Sequence, residues 1–191
     1  MNGNTNFFKQ NDVITSILYE DADAVKKITD SLLDTIPTKK PIVIACIGTD
    51  RSTGDPLGPL VGSLLFNRLK APFYVYGTLD EPIHAVNLHE KLEEINARHH
   101  NAFVIAVDAC LGRLNNVGSV QINYGPLKPG AGVNKKLPEI GNMHINGIVN
   151  VSGFMEFFVL QNTRLSLVMK MAQIIAESIY TSSRILDRQK K

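Results

Sequence analysis

Residues 42–47, Ile-Val-Ile-Ala-Cys-Ile, form an unbroken apolar run, far too short to span a bilayer and too uniform for a half-exposed strand. Such a run reads as a strand buried on both faces, as in parallel sheets. It gives way to a polar loop, Gly48 to Gly54, and then to Asp55-Pro56-Leu57-Gly58-Pro59. Beyond that point Leu57, Leu60, Val61, Leu64, Leu65 and Leu69 recur at helical spacing. A buried strand, a long loop and an amphipathic helix make the first half of a parallel βαβ unit. Open sheets of this kind bind ligands outside the carboxyl ends of their strands, and Asp55 belongs at that edge.

The rest of the chain continues the alternation. A first helix is expected over Val25, Ile28, Leu32, Leu33 and Ile36, capped by Asp21 or Asp23 and stopped by Pro37. Pro72 to Gly77 reads as a strand, and Asn87 followed by Glu90 as the capping-box start of another helix. Phe103 to Val107 is a third strand, closing on Asp108-Ala109-Cys110, and Val117 to Asn123 alternates as a fourth. Ile145 to Val151 reads as one more, with Asn146, Gly147 and Asn150 counting against it. Leu165 to Ile179 carries a helical face. These signals predict one α/β domain over residues 1–191, a three-layer α/β/α sandwich with a mostly parallel sheet. Residues 1–20 are expected to be flexible or loosely packed.

A net charge of +2 offers nucleic acid no electrostatic footprint, and no run of about 18 apolar residues suits a membrane. The N-terminus, MNGNTNFFKQND, lacks a signal-peptide pattern, so a cytoplasmic protein is expected. Cys46 and Cys110, in or beside buried strands, read as reduced packing residues, with a nucleophilic Cys110 as the minor alternative.

Asp55 and Asp108 close two apolar strands in the same way. If those strands are neighbours, both acids face one crevice. Two adjoining carboxylates do not both ionise cheaply, so one becomes an acid and the other a base, able to activate water for amide hydrolysis. The plain alternative makes Asp55 an N-cap with Pro56 at the first helical position, and Asp108 a loop anchor. Pro59 argues for a helix start nearer Gly58 in that case. The Gly48–Gly54 loop is no P-loop, since no GK[ST] follows, although Thr49, Ser52 and Thr53 could hold an anion. His84 and His89 match no zinc spacing, and His99-His100 reads as a solvated helix end. Arg51, Arg113, Lys135 and Lys136 lie on loops bordering the crevice.

The segments IGTDRSTGDPLGPLVG (47–62), VIAVDACLGR (104–113) and GPLKPGAGVNKKLPEIG (125–141) resemble the germination protease family of spore-forming bacteria. The likeness is close to its smaller relatives, the YyaC-type sporulation proteins. The resemblance implies a phosphorylase/hydrolase-like fold, shared with hydrogenase maturation peptidases, and an atypical aspartic peptidase in which Asp55 and Asp108 match the two essential acids. In the maturation peptidases a histidine completes a nickel site, and His144 is the weak local counterpart. No cofactor or native metal is expected otherwise. Substrate contacts are assigned to Arg51, Gly54, Arg113, Gly130, Gly132 and Lys135. The chain is shorter than the germination protease and shows no propeptide, so neither zymogen control nor the same substrate is implied.

The leading expectation is therefore a peptidase acting in sporulation or germination, in the sporulating cell or forespore, on a protein or peptide substrate, with a spore protein as the candidate. A non-catalytic sporulation factor on the same fold and a small-molecule (nucleoside-type) hydrolase or phosphorylase are the alternatives. For a homodimer, the N-terminal helix or Phe154-Met155-Glu156-Phe157-Phe158 offers an apolar face, although buried core is the simpler account of both.

Overall fold

A computed structural model describes residues 13–129 and 137–189. Among these residues six strands form one sheet: β1 (Val13–Leu18), β2 (Ile42–Cys46), β3 (Phe73–Tyr76), β4 (Phe103–Gly112), β5 (Ser119–Tyr124) and β6 (Met143–Val151). Their order is β1-β5-β6-β4-β2-β3. From β6 across to β3 the strands run parallel, whereas β5 is antiparallel to both β6 and β1. The helices are α1 (Ala24–Thr35), α2 (Leu57–Leu65), α3 (Leu88–Arg98), α4 (Glu156–Gln161) and α5 (Leu165–Arg188). This is a three-layer α/β/α arrangement.

Strand alternation divides the side chains between two faces. On the first, Ile42, Ile44, Cys46, Phe73, Ile105, Val107, Val120, Ile122, Met143 and Ile145 meet α1, α2 and α5 in one continuous core. The helices reach the sheet closely there. A Cβ on Gly58 would run into the Ile47 backbone, and one on Gly147 would strike Leu57 and Met171. The apolar face of α1 is used against α5, where Thr29 and Ser178 are buried between the helices.

The second face is covered differently. Val43, Ala45, Ile47 and Ala106 pack under Leu88 and Ile95 of α3, together with Ile83, Leu127 and Ile140. Past β4 the same face turns polar. Ala106 pairs with His144, which pairs with Asn123; Asp108 pairs with Asn146, which pairs with Gln121. Between Cys110 and Leu111 the β4–β6 register shifts by one residue, so Leu111 pairs with Asn150.

Several elements depart from expectation. Val13–Leu18 is an edge strand paired with β5 along its length. β4 runs on to Gly112, carrying Asp108 inside a strand and not beyond its end. His99 is half-buried, stacked on Tyr74 at 4.1 Å between ring centres, with Nε2 2.9 Å from the Tyr76 hydroxyl. Its tyrosine contacts replace the solvated helix end expected of it. Nor do Phe154, Met155, Phe157 and Phe158 join the core: their exposures are 98%, 62%, 60% and 53%.

Candidate active site

β2 and β4 are adjacent and parallel, with Cys46 paired to Val107 and the Ile47 N–H donating to the Val107 carbonyl at 2.8 Å. The loop that leaves β2 therefore brings Asp55 to the part of β4 just past the end of β2, where Asp108 lies. At Gly48 the chain turns with φ of 138°, a conformation suited to glycine, and a Cβ there would strike the Asp55 carbonyl. The loop thus folds Asp55 back over the end of β2.

Asp55 is not a helix cap. α2 begins at Leu57 with Pro56 at the capping position, and no side chain caps it. Pro59 falls within the first turn, where a missing N–H costs nothing. The Asp55 Oδ2 instead accepts the Thr49 N–H at 2.7 Å. Burial pushes the Asp55 carboxyl above its usual range, and the Thr49 bond offsets part of that. Asp108 Oδ1 accepts its neighbour Ala109's N–H at 2.8 Å. Its carboxyl is pushed well above the usual range, first by burial and then by the negative charge of Asp55. The two acids are electrostatically coupled and unequal. The arrangement makes Asp108 the acid that holds a proton more readily and Asp55 the one that ionises first.

No cation offsets this among the described residues: Arg51 and Arg113 are exposed and form no ion pair with either acid. Gly54 is buried where the loop meets the segment after β6. Its N–H donates to the Leu160 carbonyl at 2.9 Å, the Thr53 hydroxyl donates to the Gln161 carbonyl at 2.8 Å, and a Cβ on Gly54 would collide with Leu160 and Thr163. Gly130, Gly132, Lys135 and Lys136 lie outside the described residues.

His144 sits on β6 beside Ala106, 7% exposed, with Nδ1 2.9 Å from the Gly125 carbonyl. Burial lowers its pKa, so it is neutral at physiological pH. Among the described residues no three His, Cys, Asp or Glu side chains converge as metal ligands. Cys110 is a free thiol whose pKa is pushed up to about 12 by burial and the Asp108 charge, which leaves almost no thiolate for nucleophilic attack.

One residue at this edge went unassigned in the sequence. Asn146 pairs directly with Asp108 across β4–β6, and its Oδ1 is buried without a hydrogen-bond partner. Asn146 counted against a strand as a polar residue. Its alternation with Met143 and Ile145 is the signal that a one-sided polar strand would give.

A family model described as "Protein of unknown function (DUF1256)" matches residues 16–178. The chain is also 57% identical over 187 residues to "Uncharacterized protein YyaC" of Bacillus subtilis (strain 168), an alignment covering 97% of this chain and 91% of that one. With a family match and a relative each extending over most of its length, the chain belongs to the DUF1256 family.

Proposed function

We propose that the protein is a peptidase of the germination protease superfamily, acting in the cytoplasm during sporulation or germination. The observation that carries this reading is the coupled, unequal pair of Asp55, in the loop after β2, and Asp108, on the adjacent strand β4 just past the end of β2. Ionised Asp55 takes a proton from water as the water oxygen bonds to the peptide carbonyl carbon. The carbonyl electron pair moves onto oxygen. As the tetrahedral intermediate collapses, the C–N bond breaks and protonated Asp108 gives its proton to the departing nitrogen. The products are a carboxylic acid and an amine, one water is consumed, and passage of the proton from Asp55 to Asp108 restores the starting state.

The test is cleavage of a spore-core protein extract read by mass spectrometry, with wild type beside Asp55→Asn and Asp108→Asn. Discrete cuts that vanish in both variants are the expected result. No cuts from folded wild-type protein would overturn it. That outcome would favour the second reading, a sporulation binding protein, for which the exposed aromatics Phe154, Phe157 and Phe158 next to the Asp55 loop are the supporting observation.

A further inference from the structure

The acid pair supplies a base and an acid but nothing that neutralises the oxygen on which charge develops during attack. In acyl-transfer chemistry that task falls to fixed hydrogen-bond donors and is commonly the largest single contribution. Asn146 has the required chemistry and position. It is the register partner of Asp108 on the neighbouring parallel strand, so the two side chains leave the same face of the sheet. Adjacent strands lie about 4.8 Å apart.

Its surroundings make the amide available. Among the described residues Oδ1 is buried without a partner, and the side chain makes no hydrogen bond. A buried polar atom without a partner costs about 1–3 kcal/mol, and such orphans call for an explanation by function or ligand. Asn150, on the same strand, shows the contrast: its Nδ2 donates to the Thr163 hydroxyl at 3.2 Å and to the Val159 carbonyl at 3.3 Å. An amide carries both a donor and an acceptor, the complement of a peptide group.

We infer that Asn146 is the substrate-binding and oxyanion-stabilising group of the site, donating Nδ2–H to the scissile carbonyl oxygen of a bound polypeptide beside Asp108. The inference rests on the peptidase reading. As the carbonyl pair moves onto oxygen the hydrogen bond strengthens, so the contribution falls mainly on turnover and only slightly on binding. Asn146 gains and loses no proton itself.

The experiment compares wild type, Asn146→Leu and Asn146→Asp on a proteome-derived peptide library, then on the best-cleaved peptide for kcat and KM. Expected is a fall in kcat of about 10²–10³ in Asn146→Leu, with KM within a few-fold and the pH profile unmoved. Asn146→Asp, which removes the donor and adds a negative charge, falls at least as far. A wild type that cuts while a folded Asn146→Leu cuts within threefold of it overturns the Asn146 assignment and leaves the peptidase reading standing. A shift of the pH profile with little loss of kcat overturns it too, because Asn146 would then act through Asp108. If Asn146→Leu does not fold, the kcat criterion alone applies to Asn146→Asp, whose added charge moves the pH profile by itself. No cleavage by wild type overturns the peptidase reading, and the assignment with it.

Discussion

The two faces of one sheet are built from the same strands and do opposite things. On the first, alternate residues from every strand are apolar and three helices close over them. On the second, α3 covers only the β2 side. Asp108, His144, Asn146, Gln121 and Asn123 occupy the positions where Ile105, Val107, Ile145, Ile122 and Val120 stand opposite. One face carries stability, and the other keeps polar groups that a stability-driven design would replace. The strand order places the candidate chemistry at the boundary, where the apolar half of the second face meets the polar half.

Substitutions test that division, beginning with the largest effect. Met171→Ala empties a fully buried site on the first face and should cost about 2–5 kcal/mol in urea unfolding. Gly58→Ala forces a methyl against the Ile47 backbone and should cost about 3 kcal/mol, since overpacking against main chain is hard to relieve. Wild-type midpoints for either would show the first face to be looser than its geometry implies.

Asp108→Asn works in the other direction. A carboxyl raised on folding binds more protons in the native chain than in the unfolded one, so stability falls as pH rises through its native pKa. The neutral amide removes that loss. Asp108→Asn should therefore raise Tm by about 2–4 °C at pH 8, corresponding to about 1 kcal/mol for a chain this size, with the gain shrinking as pH is lowered. A gain that did not depend on pH would refute the assignment of the cause. The smallest effect is expected of Asn146→Leu, which removes an orphaned acceptor and should leave stability within about 0.5 kcal/mol of wild type or slightly above it. A loss of several kcal/mol would make Asn146 a structural residue.

The central strands and helices were legible because burial on both faces leaves unbroken apolar runs, and the helices keep a regular spacing. The acids were legible because each closes such a run. What escaped depends on partners distant in sequence. Val13–Leu18 becomes a strand by pairing with β5, across about a hundred intervening residues. The Phe154–Phe158 aromatics look like core on composition alone. Only the geometry shows a turn and the short helix α4 strapped to the Asp55 loop through Gly54 and Thr53, with the rings exposed. Asn146 escaped because polarity within a strand was weighed as evidence against the strand, when alternation made it evidence for a face.

The register shift between Cys110 and Leu111 sets the parity of β6. Residues 146 and 150 are an even number apart and would share a face in a regular strand. The one-residue offset breaks that rule, pairing Asn150 with Leu111, which packs against the first-face core. Two identical side chains four positions apart are thereby sent to opposite addresses. Asn150 ties the strand to Thr163 behind the sheet, and Asn146 is left unpaired beside Asp108. Inserting a single residue between Cys110 and Leu111, opposite the extra residue of β6, would restore even parity and bring both asparagines to one face, without altering any residue of the acid pair.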